Sequence, residues 1–319
     1  MQEPIALAYL LARIADTITD TEVLLPQQRL EQLLALRAAV QRPGQSVFQL
    51  NKDWFTAQAS ATDRQLLESV TATIDQLAHL TEADRQAVIN IVTTLTQGME
   101  FDLNTFTDRS RIVCLKDEGE LEQYIYLVAG CVGEFWTLMS LQHTSALRHW
   151  DRQRYTKLGI EFGKALQLTN VLRDLPEDLA NGRCYLPESD LTRTGIAIES
   201  IADTGSLELL EPVFDEWLDH ACDYYRSALS YITALPRLSI RLRLAALWPA
   251  LIGLHTLAHL RTNKAALLKG QRLKIKRKQV YFILIRSLWV VLSNSAIERW
   301  IGGLVETSVP QTPGENRHL

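Results

Sequence analysis

The stretch that decides the reading runs Gln167-Leu168-Thr169-Asn170-Val171-Leu172-Arg173-Asp174-Leu175-Pro176-Glu177-Asp178. Asn170, Asp174 and Asp178 fall at i, i+4 and i+8, with Gln167 one turn earlier, so a helix here carries a polar stripe about three turns long. Phe162, Leu166, Leu168, Val171, Leu172 and Leu175 make the rest of that segment apolar. Glu177 sits beside the stripe. Pro176 removes an N–H and crowds the Leu172 carbonyl, so a kink or an early helix end is expected there. Gly182 is placed to cap the C-terminus.

A second pair of aspartates lies far upstream, in Asp16-Thr17-Ile18-Thr19-Asp20. Again the two acids are four apart and share a helix face. Carboxylates crowded on one face repel each other. A hard divalent cation removes that repulsion, and Mg²⁺ typically takes one or two carboxylates plus substrate phosphate oxygens. Two such faces set opposite each other would hold a diphosphate through bridging metal ions. One such motif alone reads more readily as a solvated acidic face paired with Arg173 and Arg183; two together, with Gln and Asn in line, point to metal.

Working outward, helical patterning fills the chain. Helices are expected near 3–23, 27–40, 62–78, 82–98, 119–140, 147–180, 208–233, 238–263 and 277–303. Arg42-Pro43-Gly44-Gln45 reads as a turn, and Thr81-Glu82-Ala83-Asp84 as a capped helix start. Residues 183–207 read as a loop with at most a short helix, and no β-hairpin is evident. Fold class is all-α. With no Gly/Ser/Pro linker, one domain over 1–307 is expected, followed by a disordered tail at 308–319.

The net charge of −4 gives no general drive toward nucleic acid. Four cysteines, Cys114, Cys131, Cys184 and Cys222, form no CxxC pair and read as reduced thiols. No secretory leader is evident. The most apolar stretch, Val280–Leu292, is interrupted by Arg286 and is too short to span a bilayer. His255 and His259 lack a nearby acid and read as packing residues rather than a metal pair.

The run Gln-Leu-x-Asn-x-Leu-Arg-Asp-x-x-Glu-Asp, continued by Gly182-Arg183-Cys184-Tyr185-Leu186-Pro187, resembles the second aspartate-rich motif of the squalene and phytoene synthases. Ala8 through Asp20 resembles their first. Tyr124-Ile125-Tyr126-Leu127-Val128-Ala129-Gly130-Cys131-Val132-Gly133 is similar to the family's Tyr-x-x-x-Val-Ala-Gly-x-Val-Gly helix, and Gly98-Met99-Glu100-Phe101-Asp102-Leu103 to a further family segment. The agreement in order and spacing covers roughly residues 5 to 290.

This resemblance implies an isoprenoid-synthase helical bundle with its active site inside. It implies head-to-head joining of two farnesyl diphosphates through a cyclopropyl (presqualene) diphosphate. Asp16, Asp20, Asp174, Glu177 and Asp178 would hold Mg²⁺, or Mn²⁺ in its place. Arg13 and Arg183 would neutralise diphosphate charge. Tyr9, Gln167, Asn170 and Tyr185 would line the polar end, and Val128 and Val132 would shield the cation from water. Tyr124 would sit at the reacting carbons; taken alone it is an ordinary buried tyrosine.

Lys-Gly-x-x-x-Lys-Ile-Lys at 269–276 resembles the basic segment linked to NADPH in squalene synthases, so Lys274, Lys276 and Arg277 would bind that cofactor. A solvated basic surface, or one leaning on anionic lipid, is the alternative for this segment. A squalene synthase is therefore expected. Dehydrosqualene or phytoene synthesis without reduction stays open, as does a non-catalytic protein that binds prenyl diphosphates. The family's helix before the first motif is expected to be missing from this sequence, with either the true start upstream or another element filling that wall; Thr21 stands where many relatives have another acid. Expected partners are farnesyl diphosphate and a peripheral membrane contact for the lipid product. The location expected is cytoplasmic, at the inner membrane face. Monomer and homodimer both stay open.

Overall fold

A computed structural model describes residues 1–21, 23–44, 48, 60–201 and 206–308. The chain is built almost wholly of helices. The first group is α1 (Gln2–Asp20), α2 (Pro26–Gln41), α3 (Ala61–Glu68), α4 (Val70–Asp75) and α5 (Glu82–Thr105). A central rod follows, α6 (Glu118–Ile125) and α7 (Cys131–His143), joined by a π turn at Tyr126–Gly130. The last group is α8 (Arg152–Ala180), α9 (Glu188–Arg193), α10 (Leu207–Ala234), α11 (Ile240–Thr262), α12 (Lys264–Leu268), α13 (Arg277–Val290) and α14 (Asn294–Ser308).

Two apolar cores form on either side of the rod. On α1, Leu7, Leu11, Ile14, Ala15 and Ile18 recur at helical spacing and are buried with Leu33 and Leu36 of α2 and Val88 and Val92 of α5. The larger core gathers Leu168, Val171 and Leu172 of α8 with Phe214, Trp217 and Tyr225 of α10 and Leu247, Leu251 and Leu254 of α11. The rod serves both: Leu121 and Ile125 face the larger core, while Cys131, Phe135 and Met139 face the smaller. Glu118–His143 is a 26-residue helix apolar enough, by length and composition, to cross a membrane. Here it lies between the two cores and contributes buried side chains to both.

The rod and α8 approach closely. A Cβ on Gly133 would lie 1.8 Å from the Gly159 carbonyl oxygen, and one on Gly163 would lie 2.2 Å from that of Ala129. Glycine is the residue that permits such backbone contact. The pairings 133 with 159 and 129 with 163 make the rod and α8 antiparallel. Tyr124 therefore lies toward the aspartate end of α8.

Several expectations are corrected. Pro176 does not end its helix: α8 continues to Ala180, held on either side by buried Leu172, Leu175 and the Asn181 cap. The segment after Gly182 is not a loop. Arg183–Pro187 (β2) pairs in parallel with Val113–Leu115 (β1), Cys114 opposite Cys184. Gly182, at φ +75°, makes the turn from α8 into that strand. The helix expected over 277–303 breaks at 291–293, where Asn294 donates to the Thr233 carbonyl and so starts α14 in a new direction. The helix expected over 62–78 is split at Ser69. The tail from 309 lies outside the described residues. All four cysteines are free and buried. His255 meets Gln279, and His259 meets Asn263.

Candidate active site

The buried stripe of α1 leaves Tyr9, Arg13, Asp16 and Asp20 on its outer face. Arg13 is ion-paired with Asp16. Asp20 keeps a solvent edge, yet its cleft desolvates it and raises its pKa; the neighbouring Asp16 charge adds to this, and Arg183 and Arg13 oppose it. Tyr9, two turns before Asp16, is 68% exposed.

The second motif closes the other side. Asp178 is pushed up to about 7, first by burial; Arg183 pulls it down, and Asp174, Asp102 and Glu177 push it up. Asp174 is held by Arg173, whose Nε donates to Oδ1 at 2.8 Å. Glu177 is ion-paired with Arg272. The Asn170 side-chain amide lies 3.5 Å from that of Gln167.

Asp102 and Arg183 lie close enough to Asp20 and to Asp178 for their charges to act on both. Arg183 Nη1 donates to Asp102 Oδ2 at 3.1 Å, and the Tyr185 hydroxyl donates to Asp102 Oδ1 at 2.6 Å. Burial raises the Asp102 carboxyl, and these two partners oppose the rise. Tyr185 stacks on Tyr124 with ring centres 4.6 Å apart, and Phe106 meets Tyr185 edge-on at 5.0 Å. Burial, reinforced by the Asp102 charge, raises the Tyr124 phenol and keeps it neutral.

Asp102 belongs to the quoted segment Gly98–Leu103, but it is absent from the site residues expected above. A lone acid on an amphipathic helix carries no spacing signal. Its partners arrive through β2, which was not expected. Arg173 and Arg272 are also brought to the acids.

Two spaces adjoin this centre, and a third lies further along the rod and α8. A cleft of about 380 Å³ is lined by Arg29, Asp102, Phe106 and Arg183. Another of about 480 Å³ joins Asp174 and Glu177 to Arg272, Lys274 and Ile275. Lys274 thus borders the second motif, whereas Lys276 and Arg277 lie on the exposed chain just beyond. A third, of about 330 Å³, is apolar, with Val128, Val132, Trp136, Phe162, Leu166 and Tyr231 in its walls. Because the rod and α8 run antiparallel, their polar ends (Tyr124; Asn170 to Asp178) coincide, and so do their apolar stretches (Val128 to Trp136; Gly159 to Leu166).

Among the described residues, no group of three or more His, Cys, Asp or Glu side chains is placed to hold a metal ion by itself. Asp20 and Asp178 are carboxyls raised first by burial and further by a neighbouring acid, Asp16 for Asp20 and Asp174 for Asp178; oxygen donors of this kind suit a hard cation that keeps open positions for phosphate.

The chain matches the model of the family described as squalene/phytoene synthase over residues 1–279. It belongs to the squalene/phytoene synthase family. Among family relatives it is 38% identical over 114 residues to 15-cis-phytoene synthase of Enterobacter agglomerans, covering 36% of this chain and 36% of that one. It is 23% identical over 287 residues to squalene synthase of Homo sapiens, covering 89% of this chain and 63% of that one. The matches span 36% and 29% of the first two curated relatives, about a third of their length. The family fold is shared with the structure of TcSQS with a bound ligand, at TM-score 0.73 and 17% identity over 97% of this chain and 90% of that one. It is shared with squalene synthase HpnC from Alicyclobacillus acidocaldarius, at TM-score 0.55 and 19% identity over 83% and 84% of the two chains.

Proposed function

We propose that this protein joins two molecules of farnesyl diphosphate head to head through a cyclopropyl diphosphate, then reduces that intermediate with NADPH to squalene. The observation that carries this reading is the convergence of two DxxxD faces on one Asp102–Arg183 pair, with an apolar cavity further along the rod and α8. Mg²⁺, when bound, supplies Lewis-acid stabilisation of the departing diphosphate.

Asp16, Asp20, Asp174, Glu177 and Asp178 hold the cation. Arg13 and Arg183 offset diphosphate charge. Gln167, Asn170 and Tyr9 give hydrogen-bonding groups around it. Val128 and Val132 wall the hydrocarbon and keep water from the carbocation. Tyr124 presents a neutral ring face to that cation. The proton lost on cyclopropane closure has a receiving route through Tyr124 and Tyr185 toward Asp102, a carboxyl raised by its surroundings. Lys274, Lys276 and Arg277 meet the phosphates of NADPH; the position of Lys274 beside Asp174 and Glu177 supports this.

A second reading is favoured by the phytoene synthases among the relatives: proton loss in place of reduction, giving dehydrosqualene or phytoene. Incubation with farnesyl diphosphate and Mg²⁺, with and without NADPH, separates them by product analysis. Squalene that depends on NADPH upholds the proposal. Dehydrosqualene whether or not NADPH is present upholds the second reading. Absence of diphosphate release both from farnesyl diphosphate and from the C20 geranylgeranyl diphosphate that phytoene requires sinks both.

A further inference from the structure

Helix α13 is apolar on both sides. Its inner side packs through Ile283 and through Ser287, whose hydroxyl accepts a 2.8 Å hydrogen bond from the Trp248 indole. On the outer side, Tyr281, Ile285, Leu288 and Trp289 recur at helical spacing and are 63%, 62%, 57% and 83% exposed. A helix that ends its packing at water carries polar residues outward. This one carries its largest apolar side chains there.

The patch does not stop at the helix end. Arg243, at the start of α11, donates to the Leu235 carbonyl and to the Asn294 side chain, and Asn294 donates to the Thr233 carbonyl. These bonds bring the turn between α10 and α11 to the corner between α13 and α14. Leu238, on that turn, is 89% exposed, and Ile240 and Leu292 are exposed as well.

Charge selects the occupant. From Tyr224 to Ile297 the chain has thirteen Lys and Arg and no Asp or Glu, in a protein whose net charge is −4. Lys278 stands exposed where α13 begins, next to the segment assigned to NADPH, and Arg237 and Arg241 flank Leu238 at the other end. Arg286, beside the apolar face, has its guanidinium 4.4 Å above the Trp300 ring. Apolar and aromatic side chains between two basic flanks match the boundary of a lipid bilayer with anionic headgroups. A second copy is disfavoured, because a two-fold interface pairs a patch with itself and sets these basic flanks against each other.

We infer that the outer face of α13, with the Leu238 turn, is a docking surface for an anionic membrane, on which the helix lies in the plane of the headgroups. The basic segment that leads into α13 borders the cleft beside Asp174, so docking holds that cleft near the bilayer. The inference rests on the surface alone and is independent of the reaction product.

The whole protein is floated on a sucrose gradient with vesicles of phosphatidylglycerol and phosphatidylcholine, and with vesicles of phosphatidylcholine alone. The expected result is flotation with the anionic vesicles only, weakened by added salt. Ile285→Glu with Trp289→Glu should cut the bound fraction about tenfold or more while leaving circular dichroism and Tm unchanged, since both side chains are exposed. Trp289→Ser alone, the gentler variant, should act in the same direction. Wild-type protein that stays at the bottom with anionic vesicles overturns the inference, as does a double variant that floats equally well. A dimer in gel filtration that Trp289→Ser dissociates, without vesicle binding, would make the face a protein interface and would overturn it too.

Discussion

The Tyr185 hydroxyl donates to Asp102 at 2.6 Å, joining strand β2 to helix α5 across 83 positions of chain. Arg183, two residues earlier on the strand, takes the other carboxylate oxygen. The pair holds a largely buried charge close to both aspartate motifs. Tyr185→Phe keeps the ring on Tyr124 but leaves Asp102 one donor short. A loss of about 1–3 kcal/mol in unfolding free energy is expected, read by urea denaturation. Unchanged stability would mean the bond carries nothing.

Asp178 gives a pH dependence with a definite sign. Its folded pKa, about 7, lies above the ordinary carboxylate value of 3.8. The folded protein therefore holds a proton that the unfolded chain has released. The stability this contributes is present below the unfolded value and is lost as pH rises through the folded one. Asp178→Asn should stabilise the metal-free protein above that window, by on the order of 2 kcal/mol, and change little at acid pH. Thermal melts of both proteins across the range check this. A variant less stable at alkaline pH would refute it.

Asp102 raises Asp178, and so Asp102→Asn should lower the Asp178 pKa. Carboxyl carbon chemical shifts followed against pH would show the midpoint moving down. A midpoint that stays or rises would place Asp102 outside the acidic centre.

The glycines between the rod and α8 test the packing. Gly133→Ala would drive a methyl into the Gly159 backbone, which has no rotamer to yield, so destabilisation of about 1–3 kcal/mol is expected. Gly302→Ala is the control. It sits in helix α14 with nothing within 4 Å of the new Cβ, and it should stabilise by roughly 0.5–1 kcal/mol. Equal effects at the two sites would argue against the close approach.

The NADPH reading makes its own demand on the basic segment. Lys274→Ala with Arg277→Ala should slow reduction more than cyclopropane formation, so that the cyclopropyl diphosphate and alcohol side products accumulate while squalene falls. Each lost charge-assisted contact is expected to cost about 1.5–3 kcal/mol. Product ratios from timed reactions read the effect. An equal fall in both halves would give the segment another role.

Much of this was legible in the sequence, for particular reasons. Asp16, Asp20, Asp174 and Asp178 repeat at the helical period, so their shared faces follow from spacing alone. The apolar stripes of α1 and α8 were equally periodic. Asp102 was not legible as part of the site, because its role depends on Arg183 and Tyr185 returning on a strand too short to show alternation. That strand is fixed by a tertiary pairing, Cys114 opposite Cys184, which no local pattern encodes. The break at 291–293 was hidden for a similar reason: Asn294 begins the next helix by bonding to a carbonyl on α10. Pro176 misled in the other direction, since burial of the neighbouring leucines outweighs the loss of one helical hydrogen bond.

The central claim is that both aspartate faces hold one metal-bound diphosphate. Calorimetric titration with a non-reactive thio-analogue of farnesyl diphosphate, with and without Mg²⁺, tests it most directly when run on wild-type protein, Asp16→Ala and Asp174→Ala. Binding that requires Mg²⁺ and is lost in each variant, with helical circular dichroism intact, is the expected result. Equal binding without Mg²⁺, or full binding in either variant, would contradict it.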